Sequence, residues 1–121
     1  MDWDTLATTV RDCRKCGLRA GCTQTVFGVG QRNAQLLVVG EGPGADEDRI
    51  GEPFVGRAGK LLDSMLLAIG RNRASSNAEQ GVYIGNIVKC RPPNNRDPQA
   101  DETAACRPYL ERQINLIQPK L

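Results

Sequence analysis

The sequence predicts an α/β fold on a parallel sheet, and three observations carry that prediction. Two short apolar runs, Leu36–Val39 and Gly81–Val88, are rich in β-branched residues and bounded by glycine, as buried parallel strands are. Between them lies a helical stripe of Leu61, Leu62, Met65, Leu66 and Ile69, stopped by Gly70. After the second run a further helix is expected from about Asp101, with Leu110, Ile114 and Ile117 on one face.

Composition narrows the class. A chain of 121 residues supports one domain, residues 1–121, and 40% hydrophobic with 25% charged residues is ordinary for a soluble globular protein. No apolar run approaches the roughly 18 residues of a membrane span, and Met1-Asp2-Trp3-Asp4 is no signal peptide. A cytoplasmic protein is therefore expected. The net charge of +2 is too mild to mark a nucleic-acid binder, so local clusters must decide. Five cysteines are many for a short cytosolic chain and point to metal ligation rather than disulfides. The absence of histidine excludes Cys2His2 zinc sites and histidine acid/base chemistry within these residues.

In chain order, Trp3, Leu6 and Val10 make a short amphipathic helix that Asp2 or Asp4 can cap. Cys13-Arg14-Lys15-Cys16 follows, then Cys22. A Cys-x-x-Cys turn brings two thiolates to one ion or one cluster corner. The remaining cysteines, Cys90 and Cys106, are far apart in sequence and lack the second tight knuckle of a zinc ribbon. Spread ligands suit an iron–sulfur cubane held by Cys13, Cys16, Cys90 and Cys106, with Cys22 spare or exchanging roles with Cys16. Zinc, or Cys90 and Cys106 as small buried residues, are the alternatives. Residues 23–33 read as an irregular stretch with Val26 and Phe27 packed inward.

The first strand, expected to be fully buried, ends in Gly40-Glu41-Gly42-Pro43-Gly44. The loop at the carboxyl end of a parallel strand is where open α/β sheets place ligands. This one is crowded with Glu41, Asp46, Glu47, Asp48 and Glu52, followed by Pro53 and Phe54. Gly40-x-Gly42-x-x-Ala45 matches the dinucleotide fingerprint on paper, but that motif needs a helix starting at once to receive pyrophosphate. Pro43, the acids, Gly51 and Pro53 argue against such a helix. Gly56-Arg57-Ala58-Gly59-Lys60 lacks the leading glycine and the Ser or Thr of a phosphate-binding loop.

The helical stripe from Gly59 to Ile69 is expected to be core, and the polar loop 71–80 carries no recognisable chemistry. Asn86 interrupts the second strand. A buried amide there costs stability unless its hydrogen bonds are met by a turn or by a ligand. Residues 89–98 form a stiff Pro-rich loop with Lys89, Arg91 and Arg96, suited to phosphates. Pro108 kinks the final helix or marks its first turn. Pro119 looks like the turn into a third strand, so the sheet is expected to be unfinished in this chain.

Four segments, taken together, resemble the iron–sulfur, family 4 uracil-DNA glycosylases. They are Cys13-x-x-Cys16; Gly40 to Gly44 with Glu47-Asp48 and Gly51 to Gly56; Asn86 to Pro93; and Asn95-Arg96 through Cys106 to Leu110. The resemblance implies a three-layer α/β/α domain, incomplete here, that flips uracil out of DNA and hydrolyses its glycosidic bond. It implies that Phe54 stacks on the base, Asn86 reads its edge, and Glu47 stands where a thymine methyl would go. Gly40 and Gly42 form the water side of the site, with Glu41 as a candidate base beside Gly42, where related glycosylases keep an aspartate. Arg91 and Arg96 are the expected DNA contacts, and the implied cofactor is a 4Fe-4S cluster on Cys13, Cys16, Cys90 and Cys106. The expected partner is uracil-containing DNA, met by a monomer with no membrane contact; a replication partner has no signature in the residues. In that family a later histidine motif donates to uracil O2. Its loss costs about 10²–10³ in rate by analogy with oxyanion holes, so these 121 residues alone are expected to be inactive or nearly so. The competing readings are a nucleic-acid-binding module without catalysis and a glycosylase for another damaged base.

Overall fold

The computed structural model describes residues 2–121. Helix α1 spans Trp3–Arg11, and the Asp2 carboxylate accepts from the Thr5 amide at 2.8 Å, capping it as expected. Leu6 and Val10 bury the inner face of α1. A one-turn helix, α2 (Leu18–Gly21), lies between Cys16 and Cys22, and a two-residue strand, β1 (Val29–Gly30), lies within the stretch expected to be irregular.

Strand β2 (Leu36–Gly40) and strand β3 (Val82–Asn86) pair in parallel, with β1 antiparallel on the other side of β3. The sheet order is therefore β1-β3-β2. Strand β3 is buried throughout, as its apolar run predicts. Strand β2 corrects the expectation of full burial: most of its residues are half-buried and Val39 is 45% exposed. It lies at the edge of the ladder, and only part of its surface meets the core. Beyond it the chain end begins to pair: Lys120 N–H donates to Gln35 O at 2.8 Å, and Leu37 N–H donates to Leu121 O at 2.9 Å. No strand is formed by the residues after Pro119 among those described, so the third strand expected there is not seen.

Helix α3 (Ala45–Ile50) corrects a second expectation, because a helix does start directly after the glycine turn. Asp46, Glu47 and Asp48 occupy its first turn, where carboxylates complement the helix dipole. Gly51, at φ 88°, ends it in the left-handed conformation. Helix α4 (Arg57–Ala68) packs Leu62 and Leu66 against Val82 and Ile84. The rest of its apolar stripe is not core: Leu61, Met65 and Ile69 stay about 60% exposed, because α4 lays only one narrow edge on the sheet. Helix α5 (Ala100–Ile117) carries Pro108 inside it and buries Leu110 and Ile117, while Ile114 is at the boundary of exposure. Among the described residues no helix is long and apolar enough to cross a membrane.

Candidate functional site

The parallel register sets Gly40 beside Asn86 at the carboxyl ends of β2 and β3. A Cβ on Gly40 would collide with the Asn86 amide oxygen and the Phe54 ring. The glycine is what lets these two side chains meet. With Gly42, Glu47, Ala58 and Gly59 they enclose a cavity of about 140 Å³, room for one small planar ring. Asn86 is 2% exposed, and its amide makes no hydrogen bond to protein among the described residues. Of the two readings of that amide, the structure favours one that opens on a cavity over one that closes a turn.

Phe54 has φ 54°, a left-handed conformation costly for a bulky residue. Gly59 allows α4 to approach the Phe54 carbonyl so closely that a Cβ there would overlap it. Glu47 fastens the segment from below. Its carboxylate accepts from the amides of Gly44 at 3.0 Å, Val55 at 2.9 Å and Gly56 at 3.0 Å, joining the start of α3 to the start of α4. Burial works to raise the Glu47 pKa, but the amides of Val55, Gly56 and Gly44 outweigh it and hold the carboxyl below its usual range. A carboxylate wall thus borders the cavity in a fixed orientation.

Glu41 lines an adjoining cavity of about 220 Å³ with Pro92, Asn95 and Arg96. Its carboxyl is raised by a hydrogen bond to the Asp97 side chain and by that neighbour's charge. Arg96 lies on the same wall but is engaged: both its Nη atoms donate to the Glu102 carboxylate at 2.8 Å. Arg91 donates through Nε to Asn95 Oδ1 at 2.8 Å. Lys89, read from sequence as a loop cation, is fully buried, donating to Gln113 Oε1 at 2.7 Å, and burial pushes its ammonium down to about 8.

Cys13, Cys16, Cys90 and Cys106, scattered over the chain, line one small cavity between α2, α5, the segment after α1 and the segment after β3. Cys22 lies outside that lining, its thiol donating to the Arg19 carbonyl at 3.8 Å. Burial pushes the Cys90 and Cys106 thiols up. Among the described residues no three His, Cys, Asp or Glu side chains converge tightly enough for a single metal ion. At about 10 Å³ the space is no larger than a water needs, so a larger group would part the side chains that close it. The surroundings nevertheless suit an anionic, sulfur-liganded group. Lys15, Arg19 and Lys89 line the cavity, and Arg19 Nε is a buried donor with no partner among the described residues.

Sequence reasoning missed Ala58, Gly59 and Arg73. Arg73, in the loop without recognisable chemistry, donates to the carbonyls of Pro53 at 2.8 Å and Phe54 at 2.7 Å. Ala58 and Gly59 entered only as part of a failed phosphate-loop match and as the approach to a helix, and an arginine in a polar loop carries no signal.

Residues 27–121 match the profile of the uracil DNA glycosylase superfamily. The chain is 49% identical over 118 residues to the type-4 uracil-DNA glycosylase of Archaeoglobus fulgidus, covering 98% of this chain and 56% of that protein. It is 51% identical over 113 residues to the type-4 enzyme of Sulfurisphaera tokodaii, covering 93% and 49%. With the type-4 enzyme of Saccharolobus solfataricus it shares 47% over 118 residues, covering 98% and 52%. The chain spans about half the length of the curated relatives it matches.

Proposed function

Because this chain belongs to the uracil DNA glycosylase superfamily, we propose that the protein is a type-4 uracil-DNA glycosylase, a DNA-repair hydrolase acting on uracil flipped from the strand. The observation that carries the reading is the Asn86 amide, buried, free of protein partners among the described residues, and facing a cavity walled by Phe54.

Phe54 stacks on the flipped ring. Asn86 donates to uracil O4 and accepts from N3–H, and cytosine presents the opposite polarity at both positions. A mismatched buried amide costs about 1–3 kcal/mol, enough to discriminate. Glu47, locked by three amides, closes the cavity against a thymine methyl. As the glycosidic bond breaks, the base leaves as an anion and the sugar becomes cation-like. Asn86 stabilises the first at O4, and Glu41, in the adjoining cavity, supplies negative charge for the second. The turn through Gly40 and Gly42 leaves room for the attacking water. Arg91 meets the DNA phosphates, while Arg96 holds the 89–98 loop to α5 through Glu102.

Cys13, Cys16, Cys90 and Cys106 hold a 4Fe-4S cluster in this reading, supported by the thiol set, its cationic surroundings and the orphan donor of Arg19. A cluster bound there would tie the segment after α1 to the segment after β3 and to α5, with no part in base release.

The test is uracil release from uracil-containing oligonucleotides by protein expressed from its complete reading frame with iron. Release of uracil but not of cytosine or thymine, lost in Asn86→Ala, is the expected result. Tight binding of uracil-containing DNA with no base release overturns the enzyme reading and leaves a binding module.

A further inference from the structure

Phe54 is held in its left-handed conformation by one residue from outside the glycine-rich site. Arg73 reaches in from the loop between α4 and β3, its side chain 13% exposed. Its Nη1 donates to Pro53 O at 2.8 Å and its Nη2 to Phe54 O at 2.7 Å. Nε donates to Asp63 Oδ1 on α4 at 2.8 Å, and Glu52 lies 3.8 Å from Nη1.

We propose that Arg73 is a positioning residue for base capture, fixing the backbone of Phe54 so that its ring forms the wall of the pocket. The proposal rests on the glycosylase reading above. Two successive carbonyls can both face one planar guanidinium only for a narrow range of the torsions between them. Hydrogen bonds from a charged donor are the strong kind, and here they offset a backbone conformation that a bulky residue otherwise avoids. Asp63 and Glu52 complete the arrangement by orienting the guanidinium and balancing its charge. The contact with Asp63 also refers Phe54 to α4, the helix whose Gly59 backs the same carbonyl. Lysine cannot do this: a point cation on a flexible stem cannot span two carbonyls and a carboxylate at once.

Arg73→Lys therefore separates positioning from charge. In the iron-loaded protein from the complete reading frame, it is expected to lower kcat for uracil release about tenfold or more, with KM for DNA within about twofold, the split that marks an interaction expressed in the transition state. Inhibition by free uracil is expected to weaken in parallel. A readout independent of catalysis comes from 4-fluorophenylalanine labelling, the resonances of Phe27 and Phe54 each being assigned by substitution. The Phe54 fluorine resonance, assigned with Phe54→Leu, is expected to shift or split in Arg73→Lys, while that of Phe27 stays. Arg73→Ala enlarges both effects if it folds, and Arg73→Lys decides the matter if it does not. Wild-type kcat together with an unmoved Phe54 resonance in Arg73→Lys overturns the proposal. If the wild type itself releases no uracil, the glycosylase reading falls and base capture with it; the fluorine resonance then still reports whether Arg73 sets Phe54.

Discussion

Gly40 and Asn86 are neighbours on the last rung of the parallel β2–β3 ladder, and the missing Cβ of one makes space for the amide of the other. Gly40→Ala should therefore push Asn86 and Phe54 out of place. Overpacking of this kind costs about 1–3 kcal/mol, a tolerable loss of stability. Displacing a base-reading group by about 1 Å can cost about 10²-fold in rate. Uracil release should fall by that order while the melting temperature drops by a few degrees. A variant with wild-type kcat would show that the contact does not shape the site.

Gly59→Ala tests the same pocket from α4. Gly59 stands in the first turn of α4, where alanine favours the helix by at most about 1 kcal/mol, too little to offset a Cβ driven into the Phe54 carbonyl. Stability should fall by about 1–3 kcal/mol, and uracil binding should weaken strongly as well, because the backbone that gives way is that of Phe54. Product-inhibition measurements beside urea unfolding will separate the two quantities.

Glu102 links stability to pH. The Arg96 guanidinium, and then the Gln99 amide, hold its carboxyl down at about 2 against the usual 4.5. A depressed carboxylate stabilises the fold fully above its unfolded pKa, and that contribution fades as pH falls from 4.5 toward about 2. In Glu102→Gln this part of the acid limb should be absent, so the stability gap from wild type should be largest at neutral pH and shrink through that window. Urea midpoints measured across the range will check it; a constant gap would contradict the assignment.

The cysteines separate into two groups. Cys90→Ser and Cys106→Ser should lose iron and the visible charge-transfer absorbance, with a loss of soluble protein. Cys22→Ser should keep both, since Cys22 stands outside the lining that the other four share. Iron per protein after purification reads the difference, and iron loss in Cys22→Ser would reassign the ligands.

Much of this was legible in local pattern. The capped first helix follows from Asp2 and the Leu6/Val10 spacing, the buried strand from residues 82–86, and the loop as a site from glycines at the end of an apolar run. Helix α3 was not, because a glycine–proline turn followed by acids reads as a breaker until Glu47 is seen capping the helix with its own carboxylate. The α4 stripe failed differently. Periodicity reports that a face is apolar, not that a neighbour covers it, and Leu61 and Met65 stand exposed.

By itself the sequence determined the chemistry available: thiols without histidine, an amide interrupting an apolar run, an aromatic after an acidic turn, and an α/β order to carry them. Those depend on residue type and short-range spacing, which the chain states directly. Only the tertiary structure decided which groups are free to act. It committed Arg96 to Glu102, buried Lys89 against Gln113, and left Asn86 without a partner among the described residues. It also brought Arg73 across to the backbone of Phe54. Each of those outcomes is a competition between long-range contacts, and no local pattern records which partner wins.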